Sequence, residues 1–505
     1  MQHQDAPTTG AAQPQPLKKD EVDRKLETAL SAVFGHENFR DGQLAICRAA
    51  AQGKDCVVIL PTGGGKSLCY QLPAVVTKGI TIVVSPLLSL IEDQTSALVS
   101  MPCGGDPPGG VPAAHLTSAT PDTTSRTILG ELHAIAEGNR DNRALKLLYV
   151  TPERLAMSET FRDLLEKLHR ANLLARIVVD EAHCISEWGH DFRPDYRKLG
   201  QLRSFLPGVP LTALTATATR DCEDDIRNSL KINDTYHAHR TSADRPNLRF
   251  GVRDFSNKSQ EDVRNAIVDV VREHAGQSGI IYCATREGGI LSTVKLADYL
   301  SEKLKDVGTT ALHFHAKMST RHKRVVLAAW QKGKVDVVCA TIAFGMGIDK
   351  ADVRYVVHAS LAKSLEGYYQ EAGRAGRDDK AAECVVFYRA QDVAIWSHIF
   401  REKNEDGEDT NEESVKRRTQ RLAVSRRYCT RTSGCRRKHL LEHFGDSLGP
   451  VRVGPCCDLC DASPPAPAAA PAAAAPQHGP PDADAAAARE PREVVDLRGS
   501  DDDDI

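Results

Sequence analysis

The chain has 505 residues, 41% of them apolar, and a formal net charge of −3. At roughly 150 residues per domain this length suggests about three folded units, although the Ala-, Pro-, Gln-, Asp- and Gly-rich ends, 1–16 and 462–488, cannot bury enough surface to fold. No run of eighteen apolar residues occurs and no signal peptide opens the sequence, which argues against a membrane or secreted protein.

Short β-rich runs alternate with helical stretches from about residue 55 to 390. The first group is Val57–Leu60, Thr81–Val84, Leu147–Val150, Arg176–Asp180 and Leu211–Leu214. The second is Gly279–Tyr282, Ala311–Phe314, Val335–Cys339, Arg354–Val357 and Cys384–Phe387. Near-continuous apolar runs of this length read as buried parallel strands, so the fold class is α/β, with two such layers. The break at 231–258 reads as a linker between them, 102–112 as a surface loop, and the acidic stretch 401–413 as a separator before a Cys-rich module.

Charge is unevenly placed. Ten acids against three arginines in 461–505 leave the rest of the chain at +4, and 416–439 holds ten Lys or Arg with no acid. That run suits either a polyanion partner or a solvated helix face. Of fourteen cysteines, nine are scattered singly as far as Cys384, as reduced core thiols are, which points to cytosol or nucleus; five crowd into 429–460.

The first strand runs into Pro61-Thr62-Gly63-Gly64-Gly65-Lys66-Ser67 and then a helical pattern. Glycines let backbone amides curl around phosphates at a helix N-terminus, Lys66 would reach the β- and γ-phosphates, and Ser67 would ligate Mg²⁺. The strict pattern asks for glycine at position 60, where this chain has Leu60. Strand Arg176–Val179 ends in Asp180-Glu181-Ala182-His183, carboxylates at the strand end where α/β sheets bind ligands. Asp180 is placed to hold Mg²⁺ through water and Glu181 to polarise the attacking water. In the second layer, Gln370-Glu371-Ala372-Gly373-Arg374-Ala375-Gly376-Arg377 supplies guanidinium groups for charge building on the γ-phosphate.

These motifs resemble those of superfamily 2 helicases, and most nearly the RecQ family of DNA helicases, over roughly residues 25–460. The resemblance rests further on Phe34-Gly35-His36 with Phe39, Arg40 and Gln43, on Ser85-Pro86-Leu87-Leu88-Ser89-Leu90, on Leu214–Thr219, and on Ala340–Lys350. Its most specific part is Cys184 to Tyr196, which is similar to the family's aromatic-rich loop that senses single-stranded DNA. The resemblance implies two RecA-like domains, 21–235 and 236–400, a small α-helical zinc-binding module at 401–461, and disordered ends at 1–20 and 462–505. It implies ATP, Mg²⁺ and Zn²⁺ as cofactors. Gln43 and Arg40 would meet adenine, and Thr62, Gly63, Gly64, Gly65, Lys66 and Ser67 the phosphates. Asp349 and Gly347 would lie near the ribose, Gln370 and Arg374 near the γ-phosphate, and Arg377 would be the finger. Ser85, His315 and Thr341 would face the DNA or the cleft, and Trp188, Phe192, Arg193 and Tyr196 would sense the strand, since every base has a face to stack upon. Three positions depart from the pattern: His36 for Tyr, Glu187 for Gln, and His315-Ala316-Lys317-Met318 for His-Ala-Gly-Leu.

The module's metal ligands by the same resemblance are Cys435, Cys456, Cys457 and Cys460, with Cys429 or His443 as substitutes because Cys456 and Cys457 are adjacent. Only 45 residues follow Cys460, so the expected subgroup is the short one, without winged-helix or HRDC domains. The implied activity is ATP-driven 3′–5′ translocation and unwinding on single-stranded and forked DNA by a nuclear, monomeric enzyme of repair, recombination and replication. Residues 494–504 resemble a SUMO-interacting motif, against the alternative of a solubilising acidic end. Two rival functions are an architectural or annealing protein with a nucleotide switch, and an RNA helicase.

Overall fold

The computed structural model describes residues 19–102, 110–138, 145–186, 193–345, 348, 350–401, 412–447 and 456–461. Trp188, Phe192, Gly347, Asp349, the tail at 494–504 and most of 102–112 and 401–413 lie outside the described residues.

Among the described residues, thirteen strands form two all-parallel sheets. The first comprises β1 (Cys56–Ile59), β2 (Ile80–Val84), β3 (Ala113–Leu116), β4 (Leu147–Val150), β5 (Leu174–Val179), β6 (Leu211–Thr215) and β7 (His237–Arg240), in the order β3-β4-β2-β5-β6-β1-β7. The second comprises β8 (Leu248–Asp254), β9 (Ser278–Tyr282), β10 (Ala311–Phe314), β11 (Val337–Ala340), β12 (Val353–His358) and β13 (Ala382–Tyr388), in the order β10-β11-β9-β12-β13-β8. Alternate residues of each strand feed opposite faces, as the pleat requires. Val57, Ile59, Ile82, Val84, Ile177 and Val179 join one core, whereas Val58, Val83 and Val178 join the other. Both faces are therefore apolar, which is why the strands lack a polar alternation.

The linker expected at 231–258 instead contributes an edge strand to each sheet. β7 pairs with β1 in register Cys56↔His237, and β8 pairs with β13 in register Ala382↔Leu248. Both are edge strands: β7 reads His-Ala-His-Arg and is half-exposed, so it carries no apolar signature. The first sheet thus ends beyond residue 235, and the true connector between sheets is Thr241–Asn247. β3, another edge strand, also has no counterpart among the expected runs.

Two helices that follow the second sheet's strands, Glu412–Cys429 and Arg436–His443, close one of its faces. Leu422, Tyr428, Cys429, Leu440, Phe444, Cys456 and Cys457 share a core with Ile280, Val338, Val356 and Val386. Tyr428 packs on Tyr368 at 5.3 Å and Phe444 on Tyr369 at 4.9 Å between ring centres. Among the described residues no helix is long and apolar enough to cross a membrane.

Candidate nucleotide site and cysteine centre

The phosphate loop follows β1 and delivers its chain to the helix Leu68–Val76. Gly63 and Gly65 have φ of +82° and +79°, a backbone that only glycine adopts without strain. A side chain at Gly65 would also strike Gln43 Nε2, which donates to the carbonyls of Gly65 at 3.3 Å and Gly64 at 3.5 Å. Gln43 Oε1 accepts from Arg40 N–H at 2.8 Å, and the Arg40 guanidinium donates to the Gly63 carbonyl. The two residues expected at adenine thus brace the loop in this structure. Gln43 is almost fully buried.

Lys66 Nζ donates to the Leu60 carbonyl at 3.2 Å. Burial lowers its pKa, Glu181 and Asp180 oppose that, and Arg377 adds to it. Asp180 caps the end of β5, where burial, then repulsion from Glu181, push its carboxyl up to about 7 against the attraction of Lys66. Glu181 takes a left-handed backbone, φ 48°, and its N–H donates to Asp180 Oδ1 at 3.0 Å. That turn aims the two acids differently. Glu181 Oε2 meets His183 Nδ1 at 3.3 Å, and the same ring nitrogen lies 2.9 Å from Thr215 Oγ1 at the end of β6. Burial opposes a charged His183, but contacts with Cys184 and Glu181 outweigh it and raise the ring to about 10. In the sequence His183 and Thr215 carry no signal of this role beyond their place in the Asp180–His183 and Leu214–Thr219 motifs.

The second sheet brings its arginines to the same crevice. Arg377 Cγ lies 3.7 Å from where a Gly63 side chain would begin, so its stem covers the loop. Arg374 is buried, with NH1 3.5 Å from the Ile348 carbonyl and NH2 against Gly345. Gln370, at the end of the helix Leu365–Ala372, is half-buried.

Sulfur atoms of Cys435, Cys456, Cys457 and Cys460 all lie within 4.8 Å of one another. A tetrahedral zinc with Zn–S of about 2.3 Å needs edges near 3.8 Å, so the donor set fits that ion. The adjacent pair reaches one centre because Cys457 forms a parallel bridge with Phe250 of β8 and the chain enters a helical turn, Asp458–Asp461, directly after it. Backbone N–H groups of Arg436 and Lys438 donate to the sulfurs of Cys457 and Cys435 at 3.4 Å each. Cys429 lies outside the group, buried in the module core.

Three family models match the chain in series: DEAD/DEAH box helicase over residues 40–225, helicase conserved C-terminal domain over 262–379, and RecQ zinc-binding over 390–461. The chain belongs to the RecQ family of helicases. The ATP-dependent DNA helicase hus2/rqh1 of Schizosaccharomyces pombe is 40% identical over 437 residues, covering 85% of this chain and 30% of the relative. A putative ATP-dependent DNA helicase Q1 of Caenorhabditis briggsae is 40% identical over 434 residues, covering 86% and 65%. This RecQ chain therefore spans less than two thirds of the length of either relative. Its fold resembles that of the Mycobacterium smegmatis helicase Lhr, solved with ssDNA and AMP-PNP, with a TM-score of 0.53 at 19% identity, covering 82% of this chain and 57% of Lhr.

Residues assigned to nucleic acid in the RecQ chain separate into two kinds. Tyr196 offers no stacking face: it is fully buried, and its hydroxyl donates to the Asp180 carbonyl at 3.0 Å. Sequence spacing cannot tell which side of a loop an aromatic takes, and here the ring props the acid-bearing turn. Arg193 NH1 donates to the Pro86 carbonyl at 2.8 Å, joining the aromatic segment to the Ser85–Leu90 motif. Ser85 and His315 are buried, and Thr341 is half-buried beside the exposed Ile342. The basic run 416–439 is likewise not all one face. Arg436 and Arg437 are buried, donating to the carbonyls of Tyr428 at 2.7 Å and Leu248 at 2.6 Å, and so belong to the module's interior.

Proposed function

We propose that this chain is an ATP-dependent DNA helicase that couples hydrolysis to 3′–5′ movement along single-stranded DNA and parts the duplex, in repair, recombination and replication. The observation that carries the reading is the meeting of Arg377, from the second sheet, with the phosphate loop of the first at Gly63, where its charge acts on Lys66 together with those of Asp180 and Glu181. Loop amides of Thr62 to Gly65 and Lys66 bind the phosphates; Ser67 and Asp180 would hold Mg²⁺, which neutralises phosphate charge. Glu181 orients the attacking water, with His183 fixing the carboxylate and linking it to Thr215. Arg374 and Arg377, with Gln370 beside them, stabilise charge developing on the γ-phosphate. Since the groups come from two lobes, hydrolysis and lobe movement are one event.

In this reading the lobes span 21–235 and 236–400, with β7 added to the first, and the zinc module 401–461. Gly347 and Asp349 lie by the ribose; Ser85, Trp188, Phe192, Arg193, His315 and Thr341 face or sense the strand. The partners are single-stranded and forked DNA in the nucleus, with SUMO as a ligand of 494–504, and the working unit is a monomer. The reading is tested by ATP turnover without nucleic acid, with single-stranded DNA and with RNA, together with displacement from forks bearing a 3′ or a 5′ tail. Stimulation by DNA, displacement only from the 3′ tail, and loss of both in Lys66→Ala are expected. Stimulation by RNA alone, or no turnover with DNA and magnesium, overturns it.

A further inference from the structure

The helix Arg220–Ser229 follows β6 after the Leu214–Thr219 motif, and Thr219 caps it by accepting from Cys222 N–H at 3.3 Å. One half-buried carboxylate on this helix, Asp225, reaches across to the segment that follows the catalytic acids. Its Oδ2 accepts from Ser186 Oγ at 2.7 Å, and its Oδ1 from Arg197 NH1 at 2.8 Å. Ser229 Oγ donates to the same Oδ1 at 3.3 Å, and Arg197 NH1 also lies 3.4 Å from the Ile185 carbonyl. Ser186 is fully buried, whereas Arg197 is 45% exposed at its side chain.

Ser186 and Arg197 are the two shoulders of the span that holds Trp188, Phe192 and Arg193. A single carboxylate therefore ties Ser186, before that span, to Arg197, after it. Hydrogen bonds to a charged acceptor are stronger and more directional than neutral ones, so this chord constrains position as well as distance. Its inner end joins the acids: Ser186 follows His183, whose ring meets both Glu181 and Thr215. The carboxylate at its centre sits on a helix that starts five residues after Thr215. The chord thus leads, through Ser186 and through this helix, to one buried contact, His183 with Thr215.

We infer that Asp225 is a positioning residue that holds the aromatic span in register with the catalytic turn, so that an occupied span accelerates hydrolysis. This rests on the reading that the span senses single-stranded DNA. Asp225 touches neither nucleotide nor nucleic acid in this account and acts only through Ser186 and Arg197.

The test measures ATP turnover of the full chain with and without oligo(dT), in wild type, Asp225→Ala, Asp225→Asn, Arg197→Ala, the Asp225→Ala/Arg197→Ala double variant and Trp188→Ala. Asp225→Ala is expected to keep the DNA-free rate and the KM for ATP within about twofold. Its maximal DNA-stimulated rate should fall roughly tenfold, as for loss of one charged hydrogen bond. Asp225→Asn keeps the shape of the side chain but lacks the charge for Arg197, and should lose part of the stimulation with an unchanged melting temperature. In the double variant the second change should add little, because both act on one contact. Equal loss of DNA-free and stimulated rates, or full stimulation in both Asp225 variants while Trp188→Ala loses it, overturns the role of Asp225 and leaves the sensing reading standing. Full stimulation in Trp188→Ala instead removes the sensing reading, and this inference with it.

Discussion

Asp180→Asn should make the nucleotide-free protein more stable and catalytically dead. In the folded chain burial and the neighbouring Glu181 carry the Asp180 carboxyl from an ordinary 3.8 to about 7. A difference of that size corresponds to about 4 kcal/mol, at roughly 1.4 kcal/mol per tenfold. The sign follows from proton counting. Between pH 4 and 7 the folded state holds a proton on Asp180 that the unfolded chain has released, so stability from this group is complete below pH 4 and is lost as pH rises through 7. Asparagine removes the titration while keeping an oxygen for the Glu181 N–H at 3.0 Å. The variant should therefore match wild type near pH 4 and exceed it by up to about 4 kcal/mol above pH 7. Urea midpoints of the two proteins, compared pair by pair at pH 5, 6, 7 and 8, report this carboxyl together with the groups coupled to it, Glu181, Lys66 and His183. A variant no more stable than wild type at pH 8, or a gap that does not grow with pH, refutes the assignment of a buried carboxylate whose burial and repulsion from Glu181 outweigh the attraction of Lys66.

Arg377→Ala should lower kcat by about 10³-fold or more, as removal of a transition-state guanidinium does, while nucleotide affinity measured by fluorescence titration changes less than about tenfold. The metal centre predicts zinc bound stoichiometrically, by mass spectrometry of the metal. Cys457→Ser should abolish retention of the ion, and Cys429→Ser should keep it, because Cys429 lies outside the sulfur group. Tyr196→Phe removes the hydroxyl that donates to Asp180 and should cost about 1 kcal/mol in the same urea assay.

Much of the architecture is legible because a parallel sheet buried on both faces must be written in β-branched runs. All ten expected runs fall on strands, and the Gly63–Gly65 loop and Asp180–Glu181 turn lie at the ends of β1 and β5. What escaped is what neighbours decide. β7 is a strand because β1 offers it a free edge, not because His-Ala-His-Arg prefers one. The density of arginines at 436–437 looks like a surface until the Tyr428, Pro246 and Leu248 carbonyls around them are known. Cys456 and Cys457 are expected as ligands of one metal, but the backbone that lets adjacent residues share it is visible only in the bridge to Phe250. Asp225 had no motif at all to mark it.

The connector Thr241–Asn247 explains why the site and the zinc module form one mechanical unit. Thr241 N–H donates to Ile59 at the root of the phosphate loop, at 3.0 Å. Arg245 donates to the carbonyls of Gly373 at 3.3 Å, Ala375 at 3.1 Å and Gly376 at 2.7 Å, the turn that carries Arg374 and Arg377. Between them, Ala243 is gripped from both sides: its N–H by Asp446 of the module at 2.6 Å, its carbonyl by Tyr369 at 2.6 Å. Arg240 completes the frame, bonding Glu223 at 2.6 Å, the Ala218 carbonyl at 2.9 Å and the Phe444 carbonyl at 3.3 Å. Each bond contributes about 1 kcal/mol net, but a buried partner left unpaired costs more than that. A rotation of one sheet against the other cannot distribute itself smoothly along such a connector; it must exchange whole hydrogen bonds. Because the arginine turn is tied to the connector, the angle between the sheets and the reach of Arg377 to Gly63 are a single variable. The sulfur group stands at the start of the helix Arg436–His443, and the residues just past that helix, Phe444 and Asp446, bond Arg240 and Ala243, so the module meets the connector at the frame around Ala243 rather than at the crevice itself.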